Sequence, residues 1–194
     1  MTFDRHTVAA LAAASLMLAA LPARTDETAA KPDPTLVERG KYLVTIAGCN
    51  DCHTPLKVGP NGAEPDFDRM LSGHPEQVVM TPAPTLPEGP WGLVAAKTMT
   101  AWSSVWGVSF TANLTPDKET GLGKWTFQNF KDTIRTGRRM GRGREILPPM
   151  PIPMYKNFSD ADLEAIFAYL QSIPAVKNRV PEPLPPPATA AATP

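Results

Sequence analysis

Cysteine is nearly absent: the 194 residues hold two, Cys49 and Cys52. A zinc site of four thiolates is thereby excluded. Histidine is as scarce, with three residues, and outside the N-terminal segment only His53 and His74 remain as imidazole ligands. Net charge is missing too, since 19 basic residues balance 19 acidic ones. No global field then points to nucleic acid or anionic lipid as a partner. No apolar run reaches the roughly 20 residues of a membrane span. There is no Ser-His-Asp set, no phosphate-binding loop, no carboxylate pair in a recognisable setting and no internal repeat, so the usual hydrolytic and nucleotide-binding classes have no residues to rest on. Aromatics are modest at 7% while prolines number 23. That balance suits a domain with much irregular structure whose core is filled partly by a cofactor.

What is present is concentrated in one pentapeptide. Cys49-Asn50-Asp51-Cys52-His53 is a C-x-x-C-H motif, the attachment signature of c-type haem. Thiols three residues apart on one helical turn can each bond a haem vinyl group, and the histidine that follows faces the iron. A thioredoxin-like redox pair needs a βαβ setting, and the residues before Cys49 read as a helix instead. A plain structural disulfide is the remaining reading. One motif predicts one covalently bound haem c.

Domain limits follow from composition. Residues 1–23 read as an export signal: Arg5 precedes the apolar run Val8 to Leu21, and Ala20-Leu21-Pro22-Ala23 offers small residues for cleavage. A retained N-terminal anchor is the second reading of the same run. Both place the domain outside the cytoplasm, in the periplasm, with membrane contact only if the segment is kept. Residues 24–33 read as a linker and 34–179 as the haem domain. Within it, about 64–112 form a loop-rich elaboration broken by Pro and Gly, with a short strand expected between Val105 and Leu114. Residues 180–194, rich in Pro and Ala, read as an extended tail.

Three helices are predicted. Asp33 caps the first, Pro34 to Ala47, with Leu36, Gly40, Leu43, Val44 and Ala47 on one stripe. Thr126 caps the second, Phe127 to Thr136, and Gly137 ends it. Ser159 and Asp162 open the third, and Pro174 stops it. The first and third are expected to cross at Gly40, near Tyr169. The fold expected from this pattern is mostly α, with helices around the haem in the manner of cytochrome c.

Function turns on the iron's second axial ligand. A protein ligand makes an electron carrier, whereas an open or displaceable position makes a haem enzyme or small-molecule sensor. Met150 is the first candidate, because Leu147-Pro148-Pro149-Met150-Pro151 is stiffened by prolines just before the third helix. Met154 is the second choice. Met140 lies in a Gly/Arg-rich loop, and Met70, Met80 and Met99 lie in the elaboration. His74 would give a bis-histidine haem or line a distal pocket. The turn Gly59-Pro60-Asn61-Gly62 has two readings: it supplies the acceptor for the second nitrogen of His53, at a carbonyl such as that of Pro60, or it is a simple surface turn. Among Arg135, Arg138, Arg139, Arg142 and Arg144, one or two are expected to meet haem carboxylates, with Trp125 and Tyr155 as further donors.

Several segments carry a family resemblance. Tyr42-Leu43 with Gly48-Cys49-Asn50-Asp51-Cys52-His53-Thr54-Pro55 resembles the haem-binding segment of class I bacterial cytochromes c, including those that serve membrane dehydrogenases for alcohols and sugar acids. Asn113-Leu114-Thr115-Pro116-Asp117 and Thr120-Gly121-Leu122-Gly123-Lys124-Trp125 are similar to their central loop. Pro149-Met150-Pro151, Ser159-Asp160-Ala161-Asp162-Leu163 and Ala168-Tyr169-Leu170 are similar to their methionine loop and last helix. Gly59-Pro60-Asn61 also resembles the turn supporting the proximal histidine of mitochondrial cytochromes c. The resemblance spans roughly 35 to 175. It implies a monohaem carrier of single electrons, not itself an enzyme, with His53 and Met150 as axial ligands. Its implied partners are redox proteins: a dehydrogenase, a quinol-linked complex or a terminal oxidase. The chain departs from the dehydrogenase subunits in having one motif and a longer tryptophan-containing elaboration.

Overall fold

The computed structural model describes residues 33–82, 84 and 89–186. The export or anchor run therefore lies outside the described residues, as do most of the 24–33 linker and the end of the tail. Among the described residues no helix is long and apolar enough to cross a membrane.

The three predicted helices are present: α1 (Pro34–Ile46), α3 (Phe127–Thr136) and α5 (Asp160–Ser172). Their ends sit where the capping residues stand. Asp33 accepts the Thr35 N–H at 2.9 Å. Thr126 and Asn129 cap each other reciprocally, and Gly137 ends α3 at φ 68°. Ser159 accepts the Asp162 N–H at 3.1 Å. Two shorter helices lie between them, α2 (Cys49–His53) and α4 (Ile152–Tyr155).

The expectation of a mostly α fold is not met. About a third of the described residues are helical (34%), and 14% are strand, in two antiparallel sheets. One is the hairpin β1 (Leu56–Gly59) and β2 (Gly62–Pro65), closed by Pro60-Asn61. The other is ordered β3 (Val94–Ala95), β4 (Ala101–Ser104), β5 (Gly107–Phe110). The segment read as loop-rich thus contains built structure. Its strands are two to four residues long, too short for a period-two pattern to emerge. All four residues of β4 are buried, so even there polar and apolar positions do not alternate.

The core lies where α1, α3 and α5 meet. Leu43 and Val44 of α1 join Leu163, Ile166 and Leu170 of α5 and Phe130 and Ile134 of α3. Phe167 of α5 meets the rings of Phe130 and Phe127 at 5.5 and 6.2 Å. The crossing of α1 and α5 falls at Gly40, where an added Cβ would lie 1.9 Å from the Ala165 carbonyl oxygen and 2.7 Å from Tyr169 Cβ. After α5 the chain is extended. Leu184 pairs with Val108 of β5 through two bonds of 3.0 Å, so the described part of the tail lies along the sheet.

Candidate functional site

Gly48 makes the site possible. Its φ of 69° turns the chain out of α1 and straight into α2. One helical turn then sets Cys49, Cys52 and His53 at i, i+3 and i+4, on a common face. All three line one cavity of about 310 Å³. The remaining wall is largely apolar, with Leu114, Leu122, Phe130, Ile134, Leu163 and Ile166 contributing. That volume falls within the roughly 300–1,000 Å³ of cofactor sites.

His53 is 6% exposed and held from two directions. Its Nδ1 lies 2.8 Å from the Ala112 carbonyl oxygen, and its own carbonyl accepts the Gly73 N–H at 2.8 Å. Because a carbonyl only accepts, Nδ1 carries the proton and Nε2 keeps its lone pair. Burial lowers the imidazole's pKa, which favours the neutral ligand form. The acceptor is thus Ala112 and not Pro60, which sits at the exposed tip of the β1–β2 hairpin. The next residue, Thr54, accepts the Leu71 N–H at 2.9 Å and donates to Asn50 at 2.9 Å, fixing the end of α2.

Cys49 and Cys52 are not joined to each other. Burial pushes the Cys49 thiol up to about 11 and raises that of Cys52 as well. Nucleophilic redox cysteines have depressed values, so this environment does not suit a thioredoxin-like pair. Half-buried neutral thiols facing an apolar cavity suit attachment of an apolar group.

Met150 lines the same cavity and packs on the core. Met154 does not line it and is 70% exposed. Met70, Met80, Met99 and Met140 are also outside the lining. Tyr155 fixes the far side of the methionine segment: its hydroxyl donates to the Ala47 carbonyl at the end of α1, and its ring meets Phe158 at 5.6 Å. Burial raises its pKa to about 12, so it remains a donor.

His74 is fully buried and spent on structure. Its Nδ1 lies 2.9 Å from Thr100 Oγ1 and its Nε2 2.8 Å from the Val78 carbonyl, with the Phe110 ring tilted against it at 4.8 Å. Both nitrogens are engaged and the residue is outside the cavity lining, so the structure gives no support to a bis-histidine site or a distal pocket around His74.

Two of the five clustered arginines, Arg139 and Arg144, reach the cavity rim, with Trp125 and Tyr155. Arg139 lies over the Trp125 ring at 5.8 Å, and Arg144 meets Glu182 at 3.1 Å. Arg135 turns elsewhere, to Asp160 and the Lys156 carbonyl. The sequence reading missed the extended segment after α5: residues 179–183 also line the cavity. Asn178 anchors them at 0% exposure.

No family model matches the chain. It is 27% identical over 176 residues to a nicotinate dehydrogenase subunit of Pseudomonas putida, covering 88% of this chain and 12% of that protein. It is 27% identical over 165 residues to the fructose dehydrogenase cytochrome subunit of Gluconobacter japonicus, covering 82% and 27%. It is 29% identical over 163 residues to the gluconate 2-dehydrogenase cytochrome c subunit of Pantoea cypripedii, covering 84% and 27%. The chain spans about a quarter or less of the length of these relatives. These likenesses relate it to the cytochrome subunits of dehydrogenases.

Proposed function

We propose that this chain is an exported monohaem c-type cytochrome that carries single electrons and is not itself an enzyme. One haem c is held through Cys49 and Cys52, with His53 and Met150 as axial ligands. A dehydrogenase is the proposed donor, and a quinol-linked complex or terminal oxidase a further partner. The observation that carries the reading is the convergence of four donors on one apolar cavity: two neutral thiols, an imidazole with its Nδ1 committed to a carbonyl, and a thioether. The likeness to cytochrome subunits of dehydrogenases supports the electron-transfer role.

When bound, haem supplies a one-electron iron couple whose potential is raised by methionine ligation and a dry surround. The chain does the rest. Ala112 fixes the ring rotation and tautomer of His53 and makes Nε2 the better donor. The apolar wall excludes water. Arg139 and Arg144 line the cavity and would meet the acid groups of the cofactor.

The test is the ferric optical and electron-paramagnetic-resonance spectrum of haem-loaded protein. We expect a low-spin spectrum with a weak methionine–iron band, abolished in Met150→Ala and kept in Met154→Ala. A high-spin wild type that readily binds carbon monoxide on reduction contradicts the reading.

A further inference from the structure

Leu147-Pro148-Pro149-Met150-Pro151 has three prolines and so few N–H groups with which to fix itself. Its entry is tied by the Ile146 N–H to the Gly137 carbonyl at 2.8 Å, and its exit by the Tyr155 N–H to the Pro151 carbonyl at 3.0 Å. The Ile152 N–H reaches back to the Met150 carbonyl at 2.8 Å, and from elsewhere in the fold one hydrogen bond arrives between Leu147 and Met150 among the described residues. Ser109 Oγ donates to the Pro148 carbonyl at 2.6 Å. The Trp102 carbonyl is also within reach, at 3.5 Å, but a hydroxyl has one proton and the shorter contact takes it.

Ser109 is well placed to act as an anchor. It is 7% exposed, sits on β5 opposite Trp102, and lines the cavity with that residue. β5 is braced on one side by β4 and on the other by Leu184. The same chain, on leaving β5, supplies the Ala112 carbonyl that holds His53. A single stretch of backbone therefore fixes both the imidazole and the methionine segment.

Building on the assignment of Met150 as an iron ligand, we propose that Ser109 is a positioning residue for that ligand. Through the Pro148 carbonyl it holds the segment so that the thioether stays turned into the cavity, and the sheet β3–β4–β5 serves to brace this bond. Ser109 then sets how readily an outside ligand displaces Met150.

The experiment is titration of haem-loaded ferric protein with imidazole, followed at the main haem absorption band in every variant and, where Met150 is present, at the methionine–iron band as well. Loss of one hydrogen bond of ordinary strength makes Met150 easier to displace, so Ser109→Ala should lower the apparent Kd for imidazole about five- to tenfold. Ser109→Thr, which keeps the hydroxyl, should stay within about twofold of wild type on the same scale. In a Met150→Ala background, Ser109→Ala should leave imidazole affinity unchanged, a result that general loosening of the cavity would not give. If the alanine variant fails to load haem, Ser109→Thr against Ser109→Val, alike in shape and different in the hydroxyl, gives the same comparison. An unchanged Kd in Ser109→Ala overturns the proposal, as does an equal shift in the Met150→Ala background; in both cases the ligand assignment stands. A wild type without the methionine–iron band removes the ligand assignment, and the role of Ser109 with it.

Discussion

Gly40→Ala lowers the stability of the folded chain by about 2 kcal/mol, and Gly40→Val by more, even though alanine is the better helix former. Replacing a helical glycine by alanine ordinarily stabilises by roughly 0.5–1 kcal/mol. Here the new Cβ would lie 1.9 Å from the Ala165 carbonyl oxygen. That atom belongs to the backbone of α5, so it can yield only if the whole helix shifts. Such a shift disturbs Leu163, Ile166 and Leu170, which close the core against Leu43 and Val44. Overpacking of this kind costs roughly 1–3 kcal/mol and more for a branched side chain, which outweighs the propensity gain. Urea unfolding followed by circular dichroism reads the difference. A Gly40→Ala protein as stable as wild type would mean that the two helices do not cross as described.

The second large effect lies at Asn178. Its side chain makes four hydrogen bonds, the full capacity of a primary amide. Nδ2 donates to the Ser72 carbonyl at 2.7 Å and the His74 carbonyl at 2.9 Å. Oδ1 accepts the Glu76 N–H at 2.9 Å and Arg69 Nη2 at 3.2 Å. Its backbone is tied as well, to Thr120 and Asn113. Asn178→Ala leaves two buried carbonyls without partners, each costing about 1–3 kcal/mol, so a loss of about 3 kcal/mol is expected in the same unfolding measurement. Asn178→Asp keeps the shape but points carboxylate oxygens at carbonyl oxygens, and should be at least as damaging. Because residues 179–183 line the cavity, both variants should also expose the site to solvent. An Asn178→Ala stability within about 0.5 kcal/mol of wild type, the range of ordinary surface changes, would show that this network does not hold the segment.

The difference between Gly40 and Asn178 shows what a sequence makes legible. Gly40 lies on an apolar helical stripe, opposite a second stripe with its own caps, so the crossing can be inferred from periodicity. Cys49, Cys52 and His53 are legible for a similar reason: their geometry is that of a single helical turn. Met150 stands out because prolines frame it. Asn178 sits in Ala175-Val176-Lys177-Asn178-Arg179 with no local pattern, and only the tertiary fold buries it. The Ala112 carbonyl is harder still, because any residue type offers a backbone acceptor, and the turn at Pro60 drew attention instead. Ser109 gave no signal within a short strand. β5 falls within the Val105–Leu114 stretch where a short strand is expected; the other strands escaped for want of length, and with them the pairing that braces both sides of the site.

The central claim is that Cys49 and Cys52 hold a haem covalently. The most direct measurement is the intact mass of the protein matured in a host that attaches c-type haem, read alongside the haem absorption of the denatured chain. The account predicts the chain mass plus one haem, retained after denaturation, and loss of covalently held haem when both cysteines are changed to serine. A mass equal to that of the bare chain, from a host that loads other c-type cytochromes, would contradict it.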